Sequence, residues 1–250
     1  MRTNLVIALF FAPLLMAGVN ATARQDAPAR PTSIWKGVFT DPQAARGGMA
    51  YEIHCARCHG DDLMGRTGGG SLVGERFERD WSEDSLGTLF DFVRTSMPRG
   101  APGSLSEATY VDILAYILQR NGFPSGPQEL DARAVNAIRV EGKDGPGPVP
   151  NFSLVRVVGC LERDAARVWT VVGASEPVRT RNPAPSEGAE LAAAAAVPMG
   201  QGTIELMDPY PSPEHLAGRR VEVKGLLIRR LPINRVNVSS VRDVGGGCGK

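Results

Sequence analysis

The sequence predicts an α + β chain of two domains, in which an all-α domain precedes a small all-β domain. Apolar residues recur at helical spacing before residue 131 and at strand spacing after residue 152. The segment "EGKDGPGPVPN", rich in Pro and Gly, separates the two patterns. We therefore predict a first domain at residues 35–131, a linker at residues 132–151 and a second domain at residues 152–248.

The two parts also differ in charge. Residues 35–131 contain 9 Lys/Arg and 14 Asp/Glu, a net charge of −5, whereas residues 151–250 contain 13 and 10, a net charge of +3. A balance this weakly basic does not favour a nucleic-acid partner, because arginines at alternating strand positions usually form a solvated face. We expect no nucleic-acid binding.

The N-terminus has the pattern of a secretory signal. Arg2 is followed by an apolar run at residues 5–19 and by the small residues Ala21-Thr22-Ala23, so cleavage is predicted after Ala23. A membrane anchor is the less favoured alternative, because the run is shorter than the roughly 20 residues that a spanning helix needs and Pro13 interrupts it. We expect residues 1–23 to be a signal peptide and the mature protein to be periplasmic or otherwise exported.

Three helices are predicted in the first domain. Asp41 and Pro42 suit the N-cap and the first position of one helix. A second helix follows from the apolar spacing within residues 86–93. A third helix is expected to open with Ser104 and Glu107, which have the spacing of a capping box.

Five strands rich in Val, Ile and Leu are predicted in the second domain. A short helical turn at "SPEHL" lies between the third and fourth strands, and this count and order match a five-stranded barrel of the OB type. Phe152 and Trp169 are expected in its core. The predicted strands lie at roughly residues 152–162, 167–174, 202–208, 219–230 and 234–244.

The stretch "YEIHCARCHG" contains two of the four cysteines and two of the three histidines. The spacing of Cys55, Cys58 and His59 is the one used for covalent attachment of a c-type haem. A zinc site would need a fourth ligand, and a redox dithiol would sit in a βαβ pattern, so both are less favoured alternatives. We predict that the two thiols attach one haem and that His59 is its proximal iron ligand.

Residues 35–130 resemble class I cytochrome c in "CARCHG", in the loop "SLVG", in Trp81, in the loop "SMPRGAPGSLS" and in the closing helix "YVDILAYILQRNGFP". The resemblance implies an all-α fold around one covalently bound haem c. It also implies a second axial ligand from the Met-Pro loop, which by position is Met97. Met64 is too near His59 in the chain to reach the opposite face of the haem.

The sequence departs from that family at Ser71, where the family usually has a proline whose carbonyl orients the proximal histidine. Another backbone carbonyl must therefore orient His59 here. Trp81 is expected to be either a core aromatic residue or a hydrogen-bond donor to a haem propionate.

The other two cysteines, Cys160 and Cys248, lie near the first and last predicted strands of the second domain. These strands are neighbours in a closed barrel, and disulfides are stable in exported proteins, so we predict a bridge between them. The alternative is an unpaired Cys248 at a frayed C-terminus. The segment resembles small exported β-domains with "GCL" and "VEVKG" strands, which suggests an interaction or scaffold module.

These features predict an exported mono-haem cytochrome c that carries single electrons between redox proteins, from a dehydrogenase to a respiratory acceptor. We expect a carrier and not an enzyme, at most a subunit of an oxidoreductase system. Two alternatives remain open. One is a haem enzyme, or a gas or peroxide sensor, with a labile sixth ligand; the other is an adaptor that acts through its β-domain.

Overall fold

The computed structural model describes residues 32–248. The predicted signal peptide, residues 1–23, lies outside the described residues. Within residues 32–248, no helix is both long enough and apolar enough to cross a membrane. The described chain has a helical domain followed by a strand-rich domain, so the two-domain α + β layout is confirmed.

The helical domain contains more helices than the sequence predicts. Two of them are short, with seven and four residues, and an apolar pattern needs a longer window before it indicates a helix. The helices are α1 (Asp41–His54), α2 (Ala56–His59), α3 (Glu75–Trp81), α4 (Leu86–Ser96) and α5 (Glu107–Arg120).

Two helices begin at a different cap residue from the predicted one. Thr40 caps α1 in place of Asp41, and Ser106 caps α5 in place of Ser104. In each case the side-chain oxygen accepts a hydrogen bond from the backbone N–H three residues further on. Both predictions were wrong by one or two positions, because several residues able to cap a helix stand close together there.

Helices α1 and α5 approach each other so closely that their backbones touch. A Cβ added at Gly47 would overlap the backbone carbonyl of Asp112 in α5. The neighbouring Arg46 donates from Nε to the Asp112 carboxylate at 3.0 Å. The hydrophobic core of this domain lies around the α1–α5 contact and includes Phe39, Ala44, Tyr51, Leu86, Phe90, Tyr110, Ile113, Leu114 and Leu118.

Part of the predicted linker at residues 132–151 belongs to the helical domain. Strand β3 (Ile138–Val140) pairs with β1 (Thr32–Ser33) and with β2 (Asp84–Ser85), and its two terminal residues are buried in the helical core. The linker prediction is wrong for these residues. A three-residue strand that pairs with distant segments leaves no periodic pattern in the sequence.

The second domain has five long strands, each of which pairs with two others. Strand β4 pairs with β5 and β8, β5 also pairs with β7, and β9 pairs in parallel with β7 and antiparallel with β8. The short strand β6 pairs with β4. The strands are β4 (Leu154–Arg163), β5 (Trp169–Ala174), β6 (Val178–Arg179), β7 (Gly202–Met207), β8 (Arg219–Ile228) and β9 (Asn234–Gly247).

The interior of this sheet is filled mainly by valine and leucine, together with Trp169, which is buried as predicted. The prediction for Phe152 is wrong. This residue is 62 % exposed and has a positive φ, because it lies in the turn before β4 and not in the strand. A disulfide joins Cys160 of β4 to Cys248, which directly follows β9, with a Cα–Cα distance of 5.8 Å.

Helix α6 (Gly188–Ala195) is tied to the sheet by buried polar groups. Lys224 of β8 is fully buried, and its Nζ lies 2.8 Å from Oε1 of Glu190 in α6. This hydrogen bond holds the pKa of the Glu190 carboxyl below its usual value. The buried Glu222 accepts a hydrogen bond from the Ser186 hydroxyl at 2.8 Å.

The α1–α5 contact generates a stability prediction. We expect Gly47→Ala to lower the free energy of unfolding by about 2–3 kcal/mol, because the added methyl group must push two helix backbones apart. Gly48→Ala is the matched control: its Cβ would meet only the Tyr116 ring at 3.3 Å, and alanine favours the helix by about 1 kcal/mol. Denaturant unfolding compares the two variants, and equal stability would contradict the close approach.

Candidate haem-attachment site

The three motif residues lie on one hydrogen-bonded turn. Helix α1 ends at His54, and Cys55 leaves the helical conformation before the four-residue helix α2 begins. The backbone N–H groups of Cys58 and His59 both donate to the Cys55 carbonyl, at 3.1 and 3.0 Å. The structure therefore brings together the three residues that the motif predicts as a unit.

The His59 ring is oriented by a backbone carbonyl. Its Nδ1 lies 2.8 Å from the carbonyl oxygen of Gly70, the residue directly before Ser71. This is the carbonyl that the sequence requires in place of the missing proline. When Nδ1 carries the proton and donates to Gly70, Nε2 keeps its lone pair and is the nitrogen left to bind a metal.

The loop at residues 60–72 folds back onto the motif. The Gly65 N–H donates to the His59 carbonyl at 2.8 Å, and the Tyr51 hydroxyl donates to the Gly60 carbonyl at 2.8 Å. Burial raises the pKa of Tyr51 above its usual value. A Cβ added at Gly69 would lie 2.9 Å from the His59 Nδ1, so a side chain at this position would press on the imidazole.

Cys55 and Cys58 are unpaired thiols in the structure. Burial, together with the neighbouring Cys58, raises the pKa of the Cys55 thiol to about 11. A redox dithiol reacts through its thiolate, which a raised pKa disfavours. In addition, no group of three or more His, Cys, Asp or Glu side chains within residues 32–248 is placed to hold a metal ion. The missing further ligands disfavour a zinc site, and the burial of Cys55 disfavours a redox dithiol.

Met97 lies on a separate element from the motif, directly after the C-terminus of α4. Its N–H donates to the Val93 carbonyl at 3.0 Å, and its own carbonyl accepts a hydrogen bond from the Tyr110 hydroxyl at 2.8 Å. Tyr110 is buried in α5. The backbone of Met97 is therefore fixed by α4 and α5, while its side chain is only partly buried.

Trp81 is the last residue of α3 and lies at the edge of the helical core. Its ring centroid is 5.6 Å from that of Phe92 in α4, and the Arg181 guanidinium of the second domain lies 4.7 Å from its ring centroid. Trp81 therefore packs as an aromatic residue at the edge of the helical core. Nearby, Arg76 is paired with Asp80 at 2.6 Å on the same helix.

Residues 42–117 match the family model described as cytochrome C oxidase, cbb3-type, subunit III. The matched segment contains the motif turn, the Met97 loop and most of the helical core. This match supports a c-type cytochrome domain at these residues. It agrees with the domain that the sequence predicts, and such a domain implies haem c as cofactor.

The chain is 38 % identical over 82 residues to a thiosulfate dehydrogenase from Stutzerimonas stutzeri (strain A1501). The matched part is 29 % of this chain and 26 % of that protein, so the chain spans about a quarter of the length of this relative. Among solved structures, the sulfane dehydrogenase SoxCD from Paracoccus pantotrophus is similar over 46 % of this chain and 66 % of that chain, with 22 % identity and a TM-score of 0.32.

The side chains of this domain fit a c-type haem. Two unpaired thiols stand on one turn with an imidazole whose Nδ1 is already engaged, so its other nitrogen is left for iron. A thioether, which also suits haem iron, lies on the separate Met97 loop. Cys55 and Cys58 would attach the haem covalently, and His59 would bind its iron.

The Tyr110–Met97 hydrogen bond was not predicted, because a tyrosine in an apolar helix face gives no signal of its hydroxyl partner. We expect Tyr110→Phe to lower the free energy of unfolding by about 1 kcal/mol, because the Met97 carbonyl loses its donor. Tyr116→Phe in the same helix is the control, since the Tyr116 hydroxyl makes no hydrogen bond within residues 32–248. Denaturant unfolding of both variants checks this; a larger loss for Tyr116→Phe would contradict it.

Proposed function

We propose that this protein is an exported mono-haem cytochrome c that carries single electrons between a dehydrogenase and a respiratory acceptor. The observation that carries the proposal is the hydrogen bond from His59 Nδ1 to Gly70, next to two unpaired cysteines in a c-type cytochrome domain. This hydrogen bond aims one lone pair of the imidazole away from the loop, as an axial ligand requires.

Four side chains hold the haem in this proposal. Cys55 and Cys58 attach it through thioether bonds, His59 is the proximal ligand and Met97 is the distal ligand. When bound, the haem supplies a one-electron ferrous/ferric couple.

The anchoring of Met97 supports a carrier over an enzyme or sensor. A labile sixth ligand would be expected on a loop whose backbone is loosely held. Here the Met97 backbone is bonded to α4 on its N–H side and to α5 on its carbonyl side. A fixed ligand keeps reorganisation small when an electron arrives or leaves, which suits transfer.

The donor is proposed to be a dehydrogenase on two grounds. A protein named thiosulfate dehydrogenase is 38 % identical to this chain over 82 aligned residues. In addition, the net charge of −5 over residues 35–131 would favour approach to a basic surface on a redox partner.

We infer that the second domain is a five-stranded barrel of the OB type that acts as an interaction or scaffold module. The support is the closed circuit of pairings among the five long strands, with the 3-10 turn Glu214–Leu216 between β7 and β8. Several of its arginines are engaged within the domain, which argues against nucleic-acid binding. Arg163, Arg219 and Arg235 pair with Glu214, Asp243 and Glu205 respectively.

Export to the periplasm or beyond is proposed from two features. The N-terminal sequence has the charge, the apolar run and the small-residue pattern of a secretory signal. The disulfide between Cys160 and Cys248 suits an oxidising compartment.

Two variants test the ligands separately. The double variant Cys55→Ala/Cys58→Ala should lose all haem on denaturation, because no thioether bond remains. Met97→Ala should keep the haem and lower its reduction potential, because a thioether ligand raises the potential. Haem staining of denaturing gels and spectroelectrochemistry measure the two effects.

Met64→Ala is the matched control for Met97→Ala, because Met64 is 62 % exposed and close to His59 in the chain. The reduction potential of the Met64→Ala variant should equal that of the wild type. A potential that falls in Met64→Ala and not in Met97→Ala would contradict the ligand assignment. Haem retained on denaturation without both cysteines would contradict covalent attachment.

A further inference from the structure

Two arginines of the second domain contact the end of α3 in the cytochrome domain. Arg179, the last residue of β6, donates from Nη2 to the carbonyl of Arg79 at 2.9 Å and from Nη1 to that of Asp80 at 3.3 Å. Arg181 donates to the same Asp80 carbonyl at 2.6 Å and from Nε to the Asp84 carboxylate at 2.9 Å.

These contacts satisfy carbonyls that the C-terminus of a helix leaves without partners, and they place positive charge at the negative end of the helix dipole. One polar atom of this interface is fully buried. The Nε of Arg179 is buried and has no hydrogen-bond partner within residues 32–248.

A line of side-chain contacts runs from this interface to the proposed distal ligand. The Arg181 guanidinium lies 4.7 Å from the centroid of the Trp81 ring, which is in turn 5.6 Å from that of Phe92. Phe92 belongs to α4, the helix that ends immediately before Met97. Phe92 is 46 % exposed, and the Trp81 ring covers part of it.

We propose that Arg179 and Arg181 form an interdomain clamp that holds Trp81 against Phe92, so that the β-domain positions α4 and keeps Met97 in place. The arginines are positioning residues, because they act through Trp81 and Phe92 and not on the haem. The inference rests on the proposed function in one respect, the role of Met97 as iron ligand. It gives the β-domain a task within electron transfer.

The clamp also predicts different results for two substitutions of Trp81. If the indole serves as packing surface, Trp81→Phe should retain the reduction potential, because an aromatic ring still lies between Arg181 and Phe92. Trp81→Ala should lower the potential and raise the rate of carbon monoxide binding. If Trp81→Phe shifts the potential as much as Trp81→Ala, the indole N–H is what matters and the clamp is overturned as its explanation.

The main experiment uses the full-length holoprotein with Arg179→Gln/Arg181→Gln. Carbon monoxide binding to the ferrous protein should increase roughly fivefold or more, the size of an ordinary coupling between sites, because Met97 leaves the iron more often. The reduction potential should fall, and the haem should remain covalently bound. Arg181→Lys keeps the charge over Trp81 but loses the planar fork, so an intermediate effect is expected.

Arg163→Gln is the matched control. Its guanidinium lies 5.1 Å from the Trp169 ring centroid and pairs with Glu214, so the same kind of contact is removed within the β-domain alone. This variant should bind carbon monoxide as the wild type does. Unchanged binding and potential in the double variant, or an equal change in Arg163→Gln, would overturn the clamp.

Two further measurements keep the clamp testable if the main experiment fails. If the double variant does not fold, Asp84→Asn removes the charge that pairs with Arg181, while the amide oxygen can still accept from the Ser85 N–H and the Thr88 hydroxyl at the start of α4. This variant should still raise carbon monoxide binding, and no change would overturn the clamp. If the wild type binds no haem, the proposed function fails by itself. Hydrogen exchange of the α4 amides in the haem-free protein then tests the clamp without the haem. We expect these amides to exchange faster in the double variant than in Arg163→Gln. Equal exchange in the two variants would overturn the clamp.

Discussion

The hydrogen bond between His59 Nδ1 and the Gly70 carbonyl is the interaction on which the site depends. It fixes one nitrogen of the imidazole and leaves the other for iron, and it requires the loop at residues 60–72 to fold back against the motif turn. Glycine is needed within that loop, because a side chain at residue 69 would press on the His59 ring and on the Cys58 carbonyl.

The same pair of helices holds both proposed sides of the haem. Helix α1 contributes Tyr51, which donates to the Gly60 carbonyl after the motif, and α5 contributes Tyr110, which donates to the Met97 carbonyl. The two helices meet backbone to backbone at Gly47. A change at that contact would therefore disturb the loop at residues 60–72 and the Met97 loop together. The β-domain adds a third support through the end of α3.

Sequence reasoning was strongest where the chemistry is local. Cys55, Cys58 and His59 lie within five residues, so their spacing alone indicates a haem motif. The helices α4 and α5 show clear apolar patterns, and Asp41-Pro42 indicates the start of α1. Contacts made by backbone carbonyls or by distant residues left no such signal. The Gly70 carbonyl carries no side-chain signature, strand β3 is three residues long, and the arginines of the clamp contact groups 97 to 101 positions earlier in the chain.

In the proposed function the protein would fill both axial positions of the haem, with His59 and Met97, as an electron carrier requires. The most direct test exposes the reduced wild-type protein to carbon monoxide at neutral pH and records the absorption spectrum. We expect the spectrum to remain that of a six-coordinate haem over the time in which an open site would be saturated. Ready formation of a carbon monoxide complex would contradict firm ligation by Met97 and would favour an enzyme or a gas sensor.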